Sequence, residues 1–180
     1  IMIGSYTGYN NNGENNVFLG DSAGYSNQTG DYNVFIGTSA GEDNDDGNDN
    51  VFMGYQAGAN NTTGDYNLFL GKQTGFNNTS GQSNIFLGNS AGYFNEDGVS
   101  NIYIGWLAGS NSVSGFGNVA IGANAGKTDP DGEENVYVGR RVALESYGTG
   151  NTMIGSQAGG AYILGTNHLD NDSSIFIGLM

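Results

Sequence analysis

The clearest pattern along the chain is a short apolar segment that returns every 17 residues. Asn16–Gly20 (NVFLG) is followed at this step by Asn33–Gly37 (NVFIG), and the copies continue in phase as far as Asn135–Gly139 (NVYVG). The next step is one residue shorter, and six extra residues precede the last copy, which ends at Gly178. The consensus is N-h-h-h-G-x-x-A-G-x5-G-x-x, where h is apolar, and its positions are numbered 1 to 17 from the asparagine. Such self-similarity is the signature of a repeat architecture.

Each copy contains an apolar β-favouring segment, a small-residue corner, a polar stretch and a glycine turn. A repeat this short cannot bury an apolar face alone, so its copies must stack, and we expect the motif asparagines to hydrogen-bond from copy to copy. The pattern predicts an all-β fold, a parallel β-solenoid of about ten coils of 17 residues. A single repeat domain is expected over residues 1–180, with regular coils in 1–159 and an irregular insertion and last coil in 160–180.

The direction of the apolar side chains is the next inference, because neighbouring residues of a strand point to opposite faces. We expect Val17 and Leu19 to fill the coil and Phe18 to point outward, so that position 3 forms an exposed aromatic ladder ~48 Å long. Either the polar stretch of a wide coil covers this ladder, or other copies of the chain pack against it. We favour the second, since a thin solenoid gains stability by oligomerising. The predicted assembly interface is Phe18, Phe35, Phe52, Phe69, Phe86, Tyr103, Tyr137 and Phe176.

Charge narrows the range of partners. The chain has 18 acidic residues against 4 Lys and Arg, a formal net charge of −14, which repels phosphate groups and anionic lipids. No apolar run approaches the ~20 residues of a membrane-spanning helix. We therefore expect neither nucleic-acid binding nor membrane insertion. The absence of cysteine also excludes disulfides, zinc-thiolate sites and thiol nucleophiles.

The repeat resembles a known family at this point. Asn118–Ala125 (NVAIGANA) is similar to the S/N-h-A-I-G-x-x-A repeats of YadA-like trimeric autotransporter adhesin heads, and the 17-residue pattern also resembles repeats of phage tail fibres. The resemblance covers nearly the whole chain. It implies a left-handed β-roll, a homotrimer with a central apolar seam, an elongated surface structure, and adhesion to host or matrix. Most copies carry Phe or Tyr at position 3, where the family usually has Ala, and this implies a wider or differently arranged seam between chains.

Two acidic turns, Glu42–Asp49 and Asp129–Glu134, supply the hard oxygen ligands that suit calcium. Neither has the spacing of an EF-hand or the nonapeptide repeat of calcium-binding β-rolls, so a solvated charged loop is the alternative interpretation. No other cofactor is expected. The candidate calcium ligands are Asp43, Asp45, Asp46, Asp49, Asp129 and Asp131.

Two further features have ordinary interpretations. His168, the only histidine, lies near Asp170 and Asp172 and could bind a metal or assist catalysis, but without a second histidine or a repeated nucleophile we interpret it as part of a cap or surface loop. Asn-x-Ser/Thr triplets fall in the predicted outer turns and are candidates for glycosylation. The candidate acceptors are Asn27, Asn61 and Asn78.

No catalytic or cofactor-binding residues are predicted, and we interpret the chain as a non-enzyme. The predicted function is an extracellular structural or adhesive fibre domain that assembles with itself and presents its polar turns to a surface receptor or glycan. The alternative is an extracellular filament whose copies stack end to end, because neither end of the sequence carries an obvious polar cap.

Overall fold

A computed structural model describes residues 1–144, 146–159, 169–170, 173 and 175–178. Within these ranges the fold is all-β and contains no helix. Each strand has only two or three residues because the corner glycine and the polar turn follow at once. The strands are β1 (Met2–Ile3), β2 (Val17–Leu19), β3 (Val34–Ile36), β4 (Val51–Met53), β5 (Leu68–Leu70), β6 (Ile85–Leu87), β7 (Ile102–Ile104), β8 (Val119–Ile121), β9 (Val136–Val138), β10 (Ser146–Tyr147), β11 (Thr152–Ile154), β12 (Leu169–Asp170) and β13 (Ile175–Ile177).

Eleven of these strands form one parallel sheet in the order β1 to β9, β11, β13, so that each turn of the chain adds one strand. From β2 to β9 paired residues are 17 apart, as in Val17 with Val34. The step is 16 residues between β9 and β11, where Val136 pairs with Thr152, and β11 pairs with β13 across the insertion. Strands β10 and β12 pair separately. The predicted parallel β-solenoid is confirmed, with about nine turns, and its left-handed sense stays a prediction.

The interior of the coil contains the aromatic side chains of position 3. Phe52 is 0% exposed, and its ring lies 4.9 Å from the rings of both Phe35 and Phe69. The same stacking, with centroids 4.8–4.9 Å apart and rings within 8° of parallel, continues from Phe18 to Tyr103. The prediction that position 3 points outward is therefore wrong. A strand of three residues sends one side chain inward, and a ring buries more apolar area there than an aliphatic side chain would, while stacking on both neighbouring turns.

Buried asparagines at positions 1 and 12 also line the interior. At position 1, the backbone N–H of Asn50 donates to Asn33 Oδ1 at 2.9 Å, which confirms the expected bonding from copy to copy. At position 12, Asn61 Nδ2 donates to Asn44 Oδ1 at 2.6 Å and to the carbonyl of Gly64 at 3.1 Å. These ladders satisfy polar groups that would otherwise be costly to bury. The ladder at position 12 is formed by Asn11, Asn27, Asn44, Asn61, Asn78 and Asn95.

The glycine at position 9 is required by the ring stack. Gly58 has a φ of +56°, and a Cβ placed on it would lie 2.5 Å from Cε2 of the Phe52 ring. A side chain at this position would be disfavoured by the left-handed backbone conformation and would also clash with the neighbouring ring. The small corner allows one ring to fill each turn.

Candidate assembly face

Since position 3 points inward, positions 2 and 4 point outward from the sheet. They form two parallel columns of aliphatic side chains, half-buried or exposed, with Leu19 at 42% and Met53 at 40% exposure. We call this surface the aliphatic face. Its residues are Val17, Leu19, Val34, Ile36, Val51, Met53, Leu68, Leu70, Ile85, Leu87, Ile102, Ile104, Val119, Ile121, Val136, Val138, Thr152, Ile154, Ile175 and Ile177.

The dimensions of the aliphatic face follow from strand geometry. Its ten strands, spaced ~4.8 Å apart, extend over about 45 Å, and its two columns lie ~7 Å apart along the strand. With the width of the side chains, the strip has an area of about 500 Å², at the upper end of what a soluble monomer exposes. It contains no charged residue. The surface is therefore long, narrow, uncharged and apolar.

Exposed aromatic residues occur two residues before or two residues after several of these strands. Tyr32 and Tyr66 occupy position 17 and are 58% and 63% exposed, while Tyr55 and Trp106 occupy position 6 and are 48% and 55% exposed. The Tyr55 ring also has Lys72 Nζ 5.9 Å from its centroid. Tyrosine and tryptophan are enriched in protein interfaces because they combine a large apolar body with a hydrogen-bonding tip.

The residues predicted to form the assembly interface do not lie on this surface. Seven of them are fully or almost fully buried inside the chain's own coil, and Phe176 is partly buried and packs against the same core. Other copies of the chain could reach these rings only if the coil opened, so this prediction is wrong. The outward apolar ladder does exist, but it consists of the aliphatic residues on either side of each ring. The buried residues are Phe18, Phe35, Phe52, Phe69, Phe86, Tyr103 and Tyr137.

The candidate calcium ligands do not come together. Asp43, Asp46, Asp49 and Asp131 are exposed and Asp45 is half-buried. Among the residues that the structure describes, no three acidic, histidine or cysteine side chains are grouped so that they could hold a metal ion. The calcium prediction therefore gains no support from this geometry.

Two of these carboxylates are instead used in bonds between neighbouring turns. Asp46 Oδ1 accepts a hydrogen bond from Thr29 Oγ1 at 2.5 Å, and Asp131 Oδ1 accepts one from Ser114 Oγ at 2.6 Å. Burial raises the pKa of Asp43, and the neighbouring charge of Glu42 raises it further. The sixth candidate, Asp129, is buried and belongs to the interior.

The three candidate glycosylation sites are corrected by the structure. Asn27, Asn61 and Asn78 are 0% exposed, because they occupy position 12 of the interior ladder rather than an outer turn. The amide nitrogen that would carry a glycan is already a donor within the core; that of Asn78, for example, donates to Asn61 Oδ1 at 2.6 Å. A signal was present in the sequence, since asparagine recurs at this position in six consecutive copies. His168 lies outside the described residues.

The fold and the aliphatic face together define the chain as a tandem-repeat parallel β-solenoid with an apolar outer strip. Comparison with protein-family models finds no match, and comparisons with the curated proteins and with the solved structures find none either. Along the described ranges, no helix has the length and apolar character needed to cross a membrane.

Proposed function

We propose that this chain is a non-enzymatic structural or adhesive fibre domain of the extracellular space or of a cell or virion surface, and that copies assemble through the aliphatic face. The observation that carries the proposal is a continuous uncharged strip of half-exposed aliphatic side chains along a solenoid whose aromatic rings at position 3 are already buried. The assembly we propose is a homotrimer, the arrangement of the autotransporter heads that the repeat resembles.

The energetics of this contact favour association that is reversible and depends on concentration. Burying about 500 Å² per chain at ~25 cal/mol per Å² contributes about 12 kcal/mol for each chain. Association costs about 4–15 kcal/mol because the chains lose translational and rotational freedom. The free energy gained by burial and the cost of association are therefore of similar size. The exposed aromatic residues beside the strands would add to the contact area. A stable interface of standard size buries about 800 Å² on each partner.

The distribution of charge is compatible with self-association. A net charge of −14 on each chain opposes the approach of a second copy. Apart from Asp170 in β12, however, the described acidic residues lie in the turns, and positions 2 and 4 contain none. Contact through the aliphatic face therefore brings the uncharged surfaces together and leaves the polar turns outside, where a receptor or a glycan could bind. No described contact favours end-to-end stacking, and the filament stays an alternative prediction.

The proposal is tested by sedimentation velocity at micromolar concentration and physiological salt, with wild type, Leu70→Glu and Thr62→Glu. Leu70 lies in the middle of the aliphatic face, whereas Thr62 is exposed in a polar turn. We expect the wild type and Thr62→Glu to sediment as a species whose mass is three times the 18.7 kDa of one chain. Leu70→Glu should sediment as a monomer that keeps its β circular dichroism, because carboxylates would meet at the contact. A folded, monodisperse wild-type monomer would contradict the proposal.

A further inference from the structure

The regular core is interrupted in the coil of β8. Position 3 is Ala120 here, so the ring stack ends at Tyr103. In a regular coil the glycine at position 9 lies against the ring of its own turn. A Cβ on Gly126 would instead lie 2.7 Å from Cδ2 of Tyr137, which belongs to the next turn. Tyr137 therefore leans out of its own coil into the space beside Ala120.

The following coil is adapted to this displaced ring. Val142 and Ala143 replace the usual Ala-Gly pair, and both are 0% exposed. Ala143 has a φ of +53°, the backbone conformation that glycine adopts at the same position elsewhere. A Cβ is tolerated here because the ring that would occupy this space has moved toward Ala120. The coils of β8 and β9 thus share a packing arrangement that differs from the consensus.

The polar ladder at position 12 changes in the same region. Ser112 and Asp129 follow six asparagines, and Asn95 Oδ1 has no hydrogen-bond partner in the structure. Tyr103 Oη donates to Ser112 Oγ at 2.8 Å. Tyr137 Oη donates to Asp129 Oδ2 at 2.9 Å. The ring that leans out of the coil of β9 therefore reaches a carboxyl group in the coil of β8.

Asp129 is 5% exposed, and its described side-chain donors are neutral. Burial raises the pKa of this carboxyl group to about 6. The hydrogen bonds from Tyr137 and from the backbone of Gly132 offset only part of this rise in pKa, and the charge of Asp131 adds to it. Asn135 Nδ2 donates to the same oxygen at 3.2 Å. From the coil of β7, Ser112 and Tyr103 face this region, and burial raises the pKa of the Tyr103 hydroxyl as well.

We propose that the coils of β8 and β9 form a pH-sensitive joint in the solenoid, closed while Asp129 carries a proton and loosened when it ionises. An exposed aspartate titrates near 3.8 and the folded one near 6, so the native state holds the proton more strongly. The stabilisation is complete below about pH 4 and is lost as the pH rises through 6. In a solenoid each coil contacts only its neighbours, so the opening stays local. This joint does not depend on the proposed assembly.

The experiment is hydrogen exchange read by mass spectrometry at pH 5 and pH 8, corrected for the intrinsic exchange rate, on wild type, Asp129→Asn and Asp131→Asn. In the wild type we expect the opening equilibrium of residues 118–144, measured relative to that of residues 50–70, to be about tenfold larger at pH 8 than at pH 5. Asp129→Asn restores the residue of six other copies, so it should fold and lose this dependence. Asp131→Asn, an exposed control in the same turn, removes only the smaller contribution of its charge, so it should keep most of this dependence. An unchanged ratio in the wild type, or the same tenfold change in Asp129→Asn, would overturn the proposal.

Discussion

Replacing Phe52 by alanine tests the orientation of the whole repeat. Phe52 lies in the middle of the stack, 0% exposed, with Phe35 and Phe69 at 4.9 Å on either side. Truncation of a buried phenylalanine costs about 3–5 kcal/mol through lost burial and the cavity left behind. Each aromatic contact adds about 0.5–1.5 kcal/mol. Allowing for partial collapse of the cavity, we expect a loss of about 4–6 kcal/mol, a large share of the stability of an ordinary domain.

The measurement is urea unfolding followed by circular dichroism at several protein concentrations, because assembly would make stability depend on concentration. Met53→Ala is the matched control, since this neighbouring side chain is 40% exposed on the aliphatic face. At the lowest concentration the control should cost less than about 1 kcal/mol. If Met53→Ala were the more damaging change, or if Phe52→Ala cost less than about 1 kcal/mol, the rings would not fill the coil and the assigned faces would be reversed.

Two further sets of substitutions test the polar interior, and both use the same unfolding measurement. Asn61→Ala leaves the ladder partners of Asn61 unsatisfied and should cost about 3–6 kcal/mol. The control Asn60→Ala, at a half-buried site one residue earlier, should cost less than about 1 kcal/mol. Equal losses of stability would argue against the ladder. Tyr103→Phe removes the donor to Ser112, and Ser112→Asn crowds the Tyr103 hydroxyl, so each single change should destabilise the protein. The double variant restores the consensus pair and should show a favourable coupling of about 1–3 kcal/mol. Additive effects would show that the two side chains are independent.

The sequence was sufficient to predict the solenoid, its parallel pairing and its 17-residue turn, because these follow from the spacing of the copies alone. Alternation along the strand also established that Val17 and Leu19 lie on the face opposite to Phe18. It did not establish which face is inside. That choice depends on the size of the coil, and the small Ala and Gly at positions 8 and 9 were the signal that each turn has room for one ring.

The irregular coils lay beyond prediction for a different reason. Ala120 appeared in the sequence as a close match to the resembled family, and nothing local indicated that Tyr137 would occupy the space beside it. The displacement becomes apparent only when two turns are considered together, since it depends on the larger Val142 and Ala143 in one turn and on Ala120 and Asp129 in the other. Non-additive packing of this kind is a property of neighbouring turns rather than of the consensus.

The composition of the aliphatic face supports the proposal that another copy covers it. Of its twenty positions only Thr152 is polar, although these side chains are not needed to fill the coil. Strand propensity would account for valine and isoleucine, but threonine or tyrosine would serve equally well, and the leucines and Met53 have no comparable preference. The other outer positions of the repeat vary between acidic, basic, amide, hydroxyl, aromatic and small or aliphatic side chains. This apolar composition is not required for the folding of a single chain, and it supports the proposal that the aliphatic face meets another copy.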